Sequence, residues 1–110
     1  MGVNKDKAFD ALAIRDTSDH TSVEIDNGGF IIKTLIIENS LNQTVSFQCQ
    51  GSAEASFSNP FNIGTAWEVT ANTNTFQTCD SYIPFWRIVA TAASSPTTGA
   101  LTVFVMGVAA

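Results

Sequence analysis

Charge is what this sequence has least of. Only 14% of its residues are charged, against roughly 25% in an average soluble protein. The basic residues are Lys5, Lys7, Arg15, Lys33 and Arg87, and two of them fall in the first seven positions. Phosphate backbones are bound by clustered Lys and Arg that displace counterions. There is no such cluster, and the net charge is −5. Direct nucleic-acid binding is therefore not expected, nor is attachment to an anionic membrane surface. Histidine occurs once, at His20, and cysteine twice, at Cys49 and Cys79, which is too few nitrogen and sulfur ligands for a structural zinc site. No Gly-rich phosphate loop follows a strand, and no residue pattern points to a cofactor. The opening "MGVNKDKAFDALAIRD" lacks an apolar run of signal-peptide type, so export by a cleaved signal is not expected. Asp6 stands where N-myristoylation prefers Ser or Thr.

What fills the space left by charge is Thr, Ser, Asn and Gln on a background of period-two alternation. In "TVSFQCQ" (44–50), Val45, Phe47 and Cys49 point one way and Ser46 and Gln48 the other. "TAWEVTA" (65–71) places Trp67 and Val69 on one face. "DKAFDALAI" alternates as a strand, "SVEI" (22–25) is a short one, and "FIIKTLIIE" (30–38) is apolar on both faces. Further strands are expected briefly around 53–57, at "TFQTC", at "YIPFWRIVATAA" (82–93) and at "ALTVFVMGV" (100–108). Turn chemistry separates them: "DTSDH", "NSLNQ", "NTN", "SSPTTG", and a "DNGG" (26–29) that suits a tight hairpin. About eight short strands at such spacing predict an all-β antiparallel β-sandwich, jelly-roll-like. With 110 residues, the expected organisation is a flexible N-terminal arm over 1–7 and a single β-sandwich domain over 8–110.

Groups able to do chemistry are scattered. His20 lies beside Asp16, Ser18 and Asp19, but a nucleophilic triad needs a fold to position it, and a capped turn explains these residues. Asp16, Asp19, Glu24 and Asp26 follow no calcium-loop spacing. Nothing selects Glu54 and Glu68 as a glycosidase pair. The chain is thus read as non-enzymatic, with no metal. Cys49 and Cys79 would be small buried apolar groups in a reducing compartment and the only pair for a bridge in an oxidising one. Trp67, Tyr82 and Trp86 admit two readings, as core or as a stacking platform for sugar rings.

The excess of apolar residues is more telling. Over 82–92, Trp86, Ile88 and Ala90 form one face, while Ile83, Phe85 and Val89 share the other with Arg87. Over 100–106, Leu101, Val103 and Val105 oppose Thr102, Phe104 and Met106. A sandwich strand needs only one apolar face. A membrane-spanning helix does not account for the surplus, because "SSPTTG" breaks the region short of the ~20 apolar residues a span requires. A second apolar face needs a cover, and a neighbouring subunit supplies one. The expected assembly interface is Ile83, Phe85, Val89, Phe104 and Met106.

The closing pattern "YIPFWRIVAT", "SSPTTG", "ALTVFVMG", in a small acidic Thr- and Asn-rich chain, is similar to the final hairpin of many virion proteins. The chain resembles the small jelly-roll accessory structural proteins of tailed bacteriophages, such as head decoration, head–tail adaptor or fibre-associated subunits. That resemblance implies a structural subunit of a virion, assembled in the host cytoplasm, with copies of itself and capsid or tail proteins as partners. It also resembles subunits of jelly-roll filaments on bacterial spores. This second resemblance implies a donor-strand filament at a cell or spore surface, linked through the N-terminal arm. A carbohydrate-binding module using Trp67, Tyr82 and Trp86 is the reading from a different class.

Overall fold

Nine extended segments make up the computed structural model, which describes residues 3–22, 25–26, 30–54, 56–79 and 85–109, with side chains for 7–22, 34–54, 56–78 and 85–107. They are β1 (Val3–Leu12), β2 (His20–Thr21), β3 (Ile25–Asp26), β4 (Phe30–Asn39), β5 (Val45–Ser52), β6 (Phe61–Val69), β7 (Thr73–Cys79), β8 (Phe85–Ala92) and β9 (Leu101–Ala109). One sheet has the order β1-β9-β4-β7 and the other β2-β8-β5-β6. β3 pairs with β8 beyond β2, so these two short pieces form one interrupted edge. Nine segments thus occupy eight strand positions. Every successive position changes sheet except β5 to β6, and all pairings are antiparallel. This is the double Greek-key order of a jelly roll, the fold class the alternation predicts.

The core lies between the sheets because period two sends alternate side chains there. Leu35 and Ile37 from β4 and Leu101, Val103 and Val105 from β9 meet Val45, Phe47 and Cys49 from β5 and Trp86, Ile88 and Ala90 from β8. Each large apolar side chain removed from water contributes about 1.5–3 kcal/mol.

Four local expectations are corrected. β8 and β9 are not a hairpin, since they belong to opposite sheets. The 93–100 connection crosses between the sheets and is pinned to the 40–44 loop. Asn42 donates to Thr97 Oγ1 at 2.8 Å and accepts from Thr97 N at 3.0 Å, and Pro96 is buried beneath it. β3 and β4 also lie in different sheets, so the "DNGG" hairpin does not form; residues 27–29 are outside the described residues. The brief strand around 53–57 is instead a loop, in which the Glu54 carboxylate accepts from the Ser58 hydroxyl at 3.2 Å. Residues 3–7, expected as a free arm, pair with β9 from Val3↔Val108 to Lys7↔Phe104. Without them the outer backbone groups of β9 would have no ladder partner.

One end of the sandwich gathers four crossings, at 13–19, 40–44, 70–72 and 93–100. Asn39, fully buried at the end of β4, ties three of its elements together. Its Nδ2 donates toward the carbonyls of Gln43, Val69 and Thr70 at 3.2–3.3 Å, and its Oδ1 accepts from Leu41 N at 3.1 Å. Beside it Gly99 has φ +87°, and a Cβ there would overlap the Ser40 carbonyl. Arg15 Nη1 reaches in to donate to the carbonyls of Ile14 and Gly99, at 2.8 and 3.0 Å. In the 13–19 loop the exposed Asp16 carboxylate accepts from His20 Nε2 at 2.8 Å and Ser18 N at 3.2 Å. The hydrogen bond from His20, then that from Ser18, hold Asp16 below its ordinary 3.8.

Gly99→Ala is expected to cost about 3 kcal/mol or more, from backbone overlap and from positive φ together, read as a lowered urea midpoint. Asn39→Leu keeps the volume but strands an N–H and three carbonyls. A loss of about 2–4 kcal/mol is expected, and a loss under about 1 kcal/mol would mean these groups find other partners. In His20→Ala, the Asp16 carboxyl should titrate closer to 3.8 in a carbon-detected NMR titration. Because Asp16 is lowered in the folded state, its contribution is present above that ordinary value and fades as pH falls through the lowered one. The stability gap between wild type and variant should therefore narrow in acid.

Candidate functional site

Two outward faces are available, and they differ in chemistry. The β4–β9 register sets Ile36 against Phe104, and the β4–β7 register sets Ile36 against Phe76. On the far side Lys7 pairs with Phe104. A single row therefore crosses the outer face of the first sheet, Lys7–Phe104–Ile36–Phe76, perpendicular to the strands. Met106 lies in the next row, opposite Thr34, which is opposite Thr78. Phe104, Ile36 and Met106 are half-buried, and Phe76 at the open end is 68% exposed. At the closed end Lys7 Nζ sits 5.5 Å from the Phe104 ring centroid and 3.2 Å from Asp10. The result is an apolar row flanked on one side by Met106, Thr34 and Thr78 and on the other by Thr102, Glu38 and Asn74, capped at β1 by the Lys7 ammonium and open at β7.

The outer face of the second sheet is polar. β5 contributes Ser46, Gln48 and Gln50 there, paired with Thr91, Val89 and Arg87 of β8. Arg87 Nε donates to Gln50 Oε1 at 2.9 Å, and its guanidinium lies 4.6 Å from the Phe57 ring centroid. The 53–60 loop thus folds a side chain of its own over this face.

The five residues expected to form the interface are accordingly divided. Phe104 and Met106 belong to the apolar band. Phe85 and Val89 lie on the opposite side of the molecule, where Val89 stands between Thr21 and Gln48. Ile83 is outside the described residues. The division follows from β8 and β9 lying in different sheets, so their outward faces point in opposite directions. Phe76, the most exposed aromatic of the band, was not among the expected residues. Its signal is a lone aromatic in the uncharged strand "TNTFQTC".

The two described residues of the expected sugar platform, Trp67 and Trp86, both pack toward the core. Trp86 is 1% exposed, on the inner face of β8. Trp67 opposes Phe47 and stacks on it, with centroids 5.6 Å apart and planes at 22°. Both indole N–H groups are buried without an acceptor among the described residues, so neither can reach a sugar hydroxyl. Tyr82 is outside the described residues. Both tryptophans are drawn inward because their strand positions share the core parity.

His20 is engaged with Asp16, and Asp19 accepts from Thr91 Oγ1 at 2.6 Å. Glu54 and Glu68 sit at opposite ends of the β5–β6 hairpin. No three His, Cys, Asp or Glu side chains converge to hold a metal ion among the described residues. No helix there is long and apolar enough to cross a membrane.

Neither a protein-family model nor a curated protein matches the chain in sequence. Solved structures do match in fold. The PBSX exported protein XepA superposes with a TM-score of 0.74 at 11% identity, over 97% of this chain and 37% of that one. The SPBc2 prophage-derived protein YomS gives 0.60 at 14% identity, over 96% of this chain and 92% of that one. The tobacco streak virus coat protein gives 0.57 at 11% identity, over 99% and 85%. The chain spans little more than a third of XepA but nearly the whole of YomS. Phage-derived proteins and a viral coat protein thus share its fold, as the sequence resemblance implies.

Proposed function

We propose that this chain is a non-enzymatic structural subunit of a virion, a head-decoration, adaptor or tail-associated protein assembled in the host cytoplasm. It works by burying the outer face of its first sheet against copies of itself and against capsid or tail proteins. The observation that carries this reading is the band formed by Phe104, Ile36 and Phe76, flanked by Met106. A sheet face of a monomer exposed to water is ordinarily polar. Here aromatic and aliphatic side chains line up across three strands, with the uncharged Thr34 and Thr78 on one flank and a single carboxylate, Glu38, on the other. The phage-derived and coat-protein folds support the virion setting.

Light scattering and sedimentation provide the test. The wild-type chain is expected to be multimeric, and the double variant Phe104→Ser/Met106→Ser to dissociate at the same concentration with unchanged far-UV circular dichroism. A wild type that stays monomeric at its highest soluble concentration would overturn the homomeric reading.

A further inference from the structure

A two-layer sandwich has four sheet edges, and an edge is a template for another strand unless something blunts it. Three edges here are blunted. β1 carries two register shifts against β9, between Lys7 and Phe9 and between Phe9 and Leu12, and its sequence VNKDKAFDAL is rich in charge. β2 and β3 are two residues each. β6 follows Pro60 and is bulged opposite Gln48, where Gly64 has φ +68° and Gln48 Nε2 donates to the Ile63 carbonyl at 3.2 Å.

β7 has none of these devices. Its seven residues, TNTFQTC, contain no charge and no proline. They pair with β4 in unbroken register from Lys33↔Cys79 to Asn39↔Thr73. Side chains 74–78 are all exposed. Phe76 stands at the middle of the seven, so the strand is a natural partner for its own reverse.

We infer that β7 pairs antiparallel with β7 of a second copy of this chain about a two-fold axis at Phe76, joining two four-stranded sheets into one of eight strands. In this register Phe76 faces Phe76 of the second copy, Asn74 faces Thr78, Thr75 faces Gln77 and Thr73 faces Cys79. No charged residue meets another across the seam. The two apolar rows run together as Phe104–Ile36–Phe76 and its reverse, a continuous band with Lys7 at both outer ends. Glu38, beside Asn74 in the register, is carried to opposite corners in the two copies, so the two Glu38 carboxylates do not meet at the seam. Such a contact is isologous and closes on itself, and its main-chain hydrogen bonds satisfy an edge that is otherwise left to solvent.

This inference rests on the assembly reading above and specifies one contact within it. The experiment is a charge exchange at Phe76, whose side chain is 68% exposed. Phe76→Lys and Phe76→Glu are each made, checked by far-UV circular dichroism, and measured by sedimentation. Each alone places like charges opposite one another and is expected to weaken self-association by about tenfold or more. Mixed in equal amounts, they should recover association as a heterodimer of the two variants. If the wild type associates but neither variant weakens it, or if the mixture fails to recover it, the two-fold β7 contact is wrong and assembly through another surface stands. A wild type that is monomeric throughout removes both.

Discussion

The carboxamide of Asn39 carries the constraint on which the rest of this fold depends. A jelly roll sends its chain from one sheet to the other at almost every connection, so its strand ends cannot satisfy one another as hairpin ends do. Backbone groups accumulate, buried, where crossings converge. Asn39 answers four of them at once, drawn from the 40–44 loop and from the end of β6 in the opposite sheet. With that junction satisfied, the 93–100 crossing packs down on Pro96, Ser40 closes on Ala100 at 2.9–3.0 Å, and the two central strands β8 and β9 are held in separate layers. The separation of β8 from β9 is what gives the molecule two outer faces of different character.

Side-chain parity was the legible part of the sequence. The inward sets of β5, β8 and β9 and the inward turn of Trp67 follow from alternation alone, because a strand has only two faces. Parity does not say which sheet a strand joins or whether it lies at a centre or an edge. "SSPTTG" is as long as a hairpin loop and "DNGG" is good hairpin chemistry, yet both lie on crossings. The pairings that decide this, β1 with β9 and β5 with β8, join residues far apart in the chain. For the same reason the expected interface mixed Phe104 and Met106 with Phe85 and Val89. Phe76 was hidden because an isolated aromatic in a polar strand reads the same at a centre and at an edge.

The two outer faces also show how a weakly charged surface is divided. On the second sheet, Gln50 and Phe57 enclose Arg87, so that cation is already neighboured by the chain itself. On the first sheet, Lys7 closes one end of the apolar row and leaves the other open. Lys7 and Arg87 are thus both engaged by the chain's own groups, while Glu38 stands at the margin of the first-sheet row. Burial of the Phe104–Ile36–Phe76 row itself responds little to ionic strength, since screening acts on charges.

The pairing of Val3 with Val108 has a consequence of another kind. Antiparallel neighbours of this sort lie about 5 Å apart, so the first and last strands enter and leave the domain side by side. A unit whose two ends meet is a cassette. It can be spliced into a loop of a longer polypeptide without stretching its host, or its ends can be fused and new ones opened in a crossing loop. For a jelly roll, this adjacency makes insertion into another chain geometrically undemanding.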